Sequence, residues 1–247
     1  MKIFKVLILI SIISTLQLHA QKLPDIQQGN QWLTGIKIDG KLNEWPQPLK
    51  AYNKATHSWY SVANDDKNLY LAIKTDRAGK IISGGLTFII NQTAITYPYN
   101  KRRDRRLKEN RTPLKPGDPI ALSDFKEILL KGMVGIKDTL VSIYNPYGLK
   151  VSATEQYEKN DKHICYYEMV IPLKYLGHSI VNNQFNYKIR LNGIVRFGPL
   201  GGTLVPIPGK TAREMNELAE NIDDLARVTE LSGIYILATK PINNMKK

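Results

Sequence analysis

The sequence predicts an all-β fold: an antiparallel β-sandwich of jelly-roll or Greek-key type, with a basic loop insertion and one C-terminal helix. The stretch Trp59 to Ile73 leads there first. Its two flanking runs can bury alternate side chains, and between them lies Asn64-Asp65-Asp66-Lys67-Asn68. Asn and Asp tolerate turn geometry and hydrogen-bond their own backbone, so the whole reads as a hairpin. The second observation is that short alternating runs recur down to Ala238, with one stretch of helical period among them.

In chain order, Met1 to Ala20 places Lys2 and Lys5 before the apolar run Val6 to Ile13 and ends Leu18-His19-Ala20. That is the order of a secretory signal peptide, too short for a membrane span. Cleavage near Ala20 is expected, giving an exported chain (periplasmic, cell-surface or extracellular) with no transmembrane segment. Residues 21–33 form a polar lead-in, ordered or loose, and residues 34–240 form one sandwich domain. Ile36 and Ile38 open a first strand, Asp39-Gly40 marks a turn, and Trp45 is a packing anchor at the sandwich edge. Gly85 to Asn91 is a core strand. Residues 97–119 are an insertion rich in Arg and Lys, and Asp124 to Lys131 is a short helix or an irregular strand. Leu140 to Tyr144, Leu149 to Tyr157 and Ile164 to Ile171 follow as strands. Tyr187, Ile189, Leu191 and Val195 alternate with Lys188, Arg190, Asn192 and Arg196, a strand with a cationic outer face. Thr211 to Val228 has a buried stripe at three-four spacing, and Thr211 with Glu214 matches a capping box. Its acidic outer face is suited to docking the basic loop. Ser232 to Ala238 is the final strand, and residues 241–247 are a polar tail.

The chain of 247 residues carries a formal charge of +13. Such a surplus favours anionic partners, and export makes nucleic acid the least suitable of them. Much of it is local, in Lys101 to Arg111, where Arg102, Arg103, Arg105 and Arg106 cluster. This stretch reads as a solvated loop or as an anion- or partner-binding one, since arginines suit bidentate contacts with carboxylates and phosphates. Sugar recognition needs an aromatic platform with a polar rim. Trp59 is a candidate for it, as are Tyr97 and Tyr99 beside the arginine run. Asp65 and Asp66 are candidate oxygen ligands for a structural calcium, against ordinary turn chemistry; no other cofactor is implied. The single Cys165 excludes an internal disulfide and reads as a buried, inert thiol. Catalytic signatures are missing. Gly209-Lys210-Thr211 lacks the upstream glycine of a P-loop, with Leu204 in its place. His57, His163 and His178 have no nucleophile motif beside them. Glu155, Glu158 and Glu168 have no defined separation to make a glycosidase pair. The chain reads as non-catalytic.

Three stretches in order carry a family resemblance. Ile38-Asp39-Gly40-Lys41-Leu42-Asn43-Glu44-Trp45 resembles the opening signature of the family 9 carbohydrate-binding module and its DOMON-like β-sandwich relatives. Asn64 to Leu71 resembles their hairpin, and Tyr167-Glu168-Met169-Val170-Ile171-Pro172-Leu173 their later Glu…Ile-Pro…Leu element. The resemblance spans about Ile36 to Ala238 and implies a sandwich that binds glycan without catalysis. The family's sugar-binding members clamp a saccharide between two tryptophans. Here the first position, Ala78 to Gly85, has neither aromatic nor acid, and no tryptophan follows Trp59. The clamp therefore does not carry over. The expected partner is glycan, with acidic polysaccharide suited to the charge. The alternative is an envelope structural or protein-interaction module using the basic loop.

Overall fold

Two antiparallel sheets lie face to face in the computed structural model, which describes residues 22–99, 122, 125–158, 162–193, 208–209 and 211–241. The expected signal peptide, Arg102, Arg103, Arg105, Arg106 and the tail beyond residue 241 lie outside these residues. One sheet has five strands in the order β1 (Ala51–Asn53), β2 (Ser58–Asn64), β3 (Asn68–Thr75), β9 (Lys162–Pro172) and β8 (Lys150–Glu158). The other has six: β11 (Thr229–Ile236), β10 (Gln184–Leu191), β4 (Leu86–Ile90), β5 (Thr93–Tyr97), β6 (Glu127–Lys131) and β7 (Leu140–Ser142). The chain changes sheet after β3, after β7 and after β9, so β3 pairs with β9 and β4 with β10 across long connections. All strand pairings are antiparallel, and the all-β sandwich expected from the alternation is the fold.

The main core fills the space between the sheets. Tyr60 and Val62 from β2, Leu69, Leu71 and Ile73 from β3, and Tyr167, Met169 and Ile171 from β9 meet Phe88, Ile95, Tyr187 and Ile189 from the other sheet. Cys165 is buried among them, and burial pushes its thiol pKa up, which keeps it unreactive at neutral pH.

Asp65 makes the β2–β3 turn. Its carboxylate accepts from the amides of Lys67 (2.8 Å) and Asn68 (2.7 Å) and from the Tyr70 hydroxyl (2.6 Å). Burial tends to raise its pKa, but the Tyr70 hydroxyl and the two amides outweigh it, and the net shift is downward. The Tyr70 hydroxyl is pushed up to about 12, by burial first and by Asp65 second. A depressed carboxylate contributes stability above its unfolded pKa and loses it as the pH falls through the folded value. Asp65→Ala therefore destabilises the protein by about 1–3 kcal/mol near neutral pH and by less in acid. Urea unfolding at the two pH values checks this.

The lead-in is built into the sandwich. Beyond Tyr60 the edge of β2 has no β1 beside it. There the Gln27 side chain donates to the Val62 carbonyl (2.9 Å) and accepts from its amide (2.7 Å). Further on, Gln31 and Leu33 bond the Asn64 backbone, and Trp32 forms a parallel bridge with it. Buried polar backbone needs such partners, and a covered edge does not recruit other chains.

Ile36 to Ile38 form no strand. They run irregularly over the outer face of the five-stranded sheet, where Ile36 and Ile38 pack on a second, smaller core of Leu42, Trp45, Leu49, Ala63, Tyr70, Ala72 and Val170. Trp45 thus anchors that outer face and not a sandwich edge.

Two α-helices sit among the described residues: α1 (Ala78–Gly84), a stretch to which the sequence assigns no element, and α2 (Ala212–Ala226). In α2 Thr211 accepts from the Glu214 amide while the Glu214 carboxylate accepts from the Thr211 amide, the capping box read from the sequence. Its acidic Asp224 meets α1: Oδ1 lies 3.0 Å from Lys80 Nζ and Oδ2 3.0 Å from Arg77 Nε.

Candidate functional site: an aromatic groove on the five-stranded sheet

Strand alternation sends Tyr60, Ile73 and Tyr167 inward, so their chain neighbours Trp59, Lys74 and Tyr166 face out. Register then brings distant residues into line. Tyr52 on β1 pairs with Trp59 on β2, Trp59 with Lys74 on β3, and Lys74 with Tyr166 on β9. The result is a row of side chains crossing neighbouring strands at steps of about 4.8 Å. Tyr52 and Trp59 lie with ring centroids 4.4 Å apart at 38°. The Lys74 ammonium sits 6.0 Å from the Trp59 ring centre and 5.5 Å from that of Tyr166, within the range of cation–π attraction.

The wall of the groove is the segment from Asp39 to Lys50. It crosses the sheet one row further along, over Ser61, Ala72 and Glu168, which are themselves cross-strand neighbours. Lys50 N donates to Ser61 Oγ (2.8 Å) at one end, and Thr154 Oγ1 donates to the Gly40 carbonyl (2.6 Å) at the other. Between wall and row lies a cleft of about 660 Å³ lined by Leu42, Asn43, Gln47, Pro48 and Leu49 on one side and Trp59, Lys74 and Tyr166 on the other.

Glu168 holds the wall down. Its side chain is fully buried; Oε1 accepts from Trp45 Nε1 (2.8 Å), and Oε2 from the amides of Gly40 (2.9 Å) and Asp39 (3.1 Å). Burial raises its pKa above the ordinary glutamate value, and the Trp45, Gly40 and Asp39 donors only partly offset that. Gly40 fits no other residue well. It has φ +81°, and a Cβ there would lie 2.5 Å from Thr154 Cγ2. The opening and later stretches that carry the family resemblance meet at this carboxylate, and they build the wall rather than the floor.

Of the candidate residues, Trp59 is on the groove floor. Tyr97 is a correction. It ends β5 in phase with Ile95, is only 4 % exposed, and packs 6.2 Å from Tyr167 inside the sandwich. Its hydroxyl donates to the Phe125 carbonyl (3.4 Å), and its pKa is pushed up to about 12, mainly by burial. An inward-facing ring cannot serve as a ligand platform. Tyr99 is half-buried and has an interaction within the protein, away from the groove lining. Asp65 spends its carboxylate on its own turn, and Asp66 is exposed beside it. Among the described residues no three His, Cys, Asp or Glu come close enough to hold a metal ion. The expected cationic face of β10 is also altered, because Lys188 (2.7 Å) and Arg190 (2.9 Å) both pair with Glu230 on β11; Arg196 lies outside the described residues. Tyr52, Lys74 and Tyr166 were missed. Alternation alone marks Lys74 and Tyr166 as outward, but only register aligns them with Trp59.

An apolar, ring-faced floor with the exposed amides of Asn43 and Gln47 on the rim suits a ligand with apolar faces and hydroxylated edges. Comparison with protein-family models, curated proteins and solved structures gives no match for this chain.

Proposed function

We propose that this chain is an exported, non-catalytic glycan-binding domain of the kind the family 9 resemblance implies, acting at the cell envelope or outside it. The observation that carries the reading is the Trp59–Lys74–Tyr166 row on the floor of a walled groove, with Tyr52 packed against Trp59 from the next strand. Sugar rings offer C–H faces to aromatic surfaces and hydroxyl edges to amides, and the groove presents both kinds of surface side by side. This is not the two-tryptophan clamp of the family. It is a one-sided platform with the segment from Asp39 to Lys50 as its wall.

Trp59→Ala should weaken saturable oligosaccharide binding by about tenfold or more, since a stacked aromatic contributes over 1 kcal/mol. Its far-UV spectrum should be unchanged, because Trp59 lies outside the main core. A calorimetric titration of the two proteins with a panel of neutral and acidic oligosaccharides measures this. Undiminished binding by the variant would remove the groove from the reading. A charge-reversed variant of residues 101–111 separates the groove from the basic loop: the groove reading requires that it still bind.

A protein-interaction module has one observation in its favour. β11 is an edge strand with Ile234 62 % and Ile236 55 % exposed, a surface suited to pairing with another chain.

A further inference from the structure

We infer that β11 pairs antiparallel with β11 of a second copy of this chain, about a two-fold axis at Ser232, joining two six-stranded sheets into one. The surface is separate from the groove, and the inference does not rest on the glycan reading.

The ladder fixes which groups of β11 are free. In an antiparallel sheet, successive residues turn their N–H and C=O alternately to one neighbour and to the other. Asn91 N donates to the Asn186 carbonyl, and Asn192 N to that of Gly85, so the even-numbered residues of β10 bond on the β4 side. The odd-numbered ones then bond β11, and Leu237 N, which donates to the Asn183 carbonyl, keeps that phase. Register pairs them with Thr229, Leu231, Gly233 and Tyr235. Glu230, Ser232, Ile234 and Ile236 are left with their backbone groups aimed away from the sheet, and among the described residues no strand lies beside them.

The other sheet edges are shielded. β1 and β7 are three residues long, and the lead-in covers β2 beyond β1. β8 carries Lys150, Glu155 and Glu158 and is clipped to the wall at Thr154. By contrast β11 runs eight residues in unbroken register, with no lysine or proline to turn a neighbour away. Its one charge, Glu230, is already paired with Lys188 and Arg190 of its own molecule. A like copy therefore meets no uncompensated charge on the strand.

The outward row shows why the partner is a second copy. Val228, Glu230, Ser232, Ile234 and Ile236 are all exposed, with small Ser232 in the middle and an apolar residue at either end. A two-fold interface must be complementary to itself. Rotation about Ser232 sets Val228 against Ile236 at both ends and Ser232 against its own copy at the axis. An axis at Gly233 would instead set Ile236 against Glu230 and leave Val228 without an apolar partner. The axis stands perpendicular to the joined sheet, so both five-stranded sheets lie on the same side and both grooves face one way. On the glycan reading, two grooves then engage one polymer, with the gain that effective concentration brings.

Sedimentation equilibrium of the exported chain over a range of concentrations tests this, with Ile234→Lys, Ser232→Pro and Tyr144→Lys alongside. The lysine puts an ammonium on the outward row without touching the core. The proline removes an N–H that makes no bond to β10, so the ladder survives it. Tyr144→Lys alters an exposed aromatic residue outside β11. The expected result is a dimer that dissociates on dilution. Ile234→Lys and Ser232→Pro weaken it by about tenfold or more, and Tyr144→Lys leaves it unchanged, all with wild-type far-UV spectra. Ser232→Cys treated with oxidised glutathione should give a disulfide-linked dimer, because Cα atoms about 5.5 Å apart suit the bond. Ile234→Cys, opposite Glu230 in this register, should not, and buried Cys165 does not compete. Linking through Ile234→Cys in place of Ser232→Cys overturns the register. A monomer at every concentration overturns the inference and leaves β11 to a strand of another protein. Open-ended growth overturns it as well, as does a dimer that both β11 variants leave intact. No ligand enters these measurements, so the glycan reading stands or falls separately.

Discussion

Glu168→Ala should lower stability by about 3–5 kcal/mol, because it strands three donors, two of them buried, that point at one carboxylate. The Trp45 indole and the amides of Asp39 and Gly40 cannot all find water, since the segment that carries them is pressed on the sheet. The substitution should also abolish groove binding although Glu168 does not line the cleft, because the wall from Leu42 to Leu49 loses its anchor. Glu168→Gln is the informative comparison. Its carbonyl can satisfy either the two amides or the indole, and its NH₂ then faces the remaining donor, so a cost of about 1–3 kcal/mol is expected. Chemical unfolding of the three proteins gives the numbers. An alanine variant within about 1 kcal/mol of wild type would show that the wall is held by its apolar contacts alone.

The same residue gives a pH dependence with a definite sign. Burial raises the folded-state pKa of Glu168 above the ordinary carboxylate value. Between those two values the folded protein holds a proton that the unfolded chain has released. Stability from this group is therefore fully present below the unfolded pKa and falls as the pH rises through the raised one. Asp65 behaves in the opposite way, losing its contribution as the pH falls through its depressed value. Glu168→Gln removes the first slope and leaves the second. Stability against pH for wild type and Glu168→Gln separates the two.

Local chemistry was readable from the sequence wherever a residue acts on its own backbone. Asp65 closes its turn through amides two and three residues on, and Thr211 and Glu214 cap each other's amides within one helical turn. The alternation of β3 and β10 is the direct print of a one-sided environment. The errors have physical reasons as well. Ile36 and Ile38 alternate like a strand because they pack on an apolar face, but they join no ladder. Tyr97 was placed in the insertion when it is the last residue of β5, in phase with buried Thr93 and Ile95. Helix α1 spans seven residues with no side-chain N-cap, too short to show a period. The groove was half legible. Trp59 stood out by type, but Lys74 and Tyr166 join it only through the β2–β3 and β3–β9 registers. The second of these links residues 92 positions apart, and nothing in either local sequence encodes it.

The second large effect concerns the contact between α1 and α2. Lys80 sits on α1 with its side chain 1 % exposed, and its ammonium reaches Asp224 Oδ1 at 3.0 Å and Thr229 Oγ1 at 3.3 Å. Asp224 is about a third exposed and also pairs with Arg77. The pair is thus buried on the lysine side and wet on the aspartate side. Asp224→Ala leaves the Lys80 charge in the interior with one hydroxyl for company. Because solvent screens part of the original pair, the expected cost is about 2–3 kcal/mol, below the full range for breaking a buried bridge. For a domain of this size that lowers Tm by about 5–10 °C. If the stranded charge is the cause, removing it should help: Lys80→Met in the Asp224→Ala background should recover more than half of the loss. A double variant as unstable as the single one would place the cost instead in lost contacts between α1 and α2. In that case the close approach of Leu225 to Gly79, where a Cβ would lie 2.9 Å from the leucine, becomes the contact to test next. Recovery in the double variant would show that α2 is held to the sandwich by the need to neutralise one buried lysine, and that its acidic face is committed inward at Asp224 rather than kept for a basic partner.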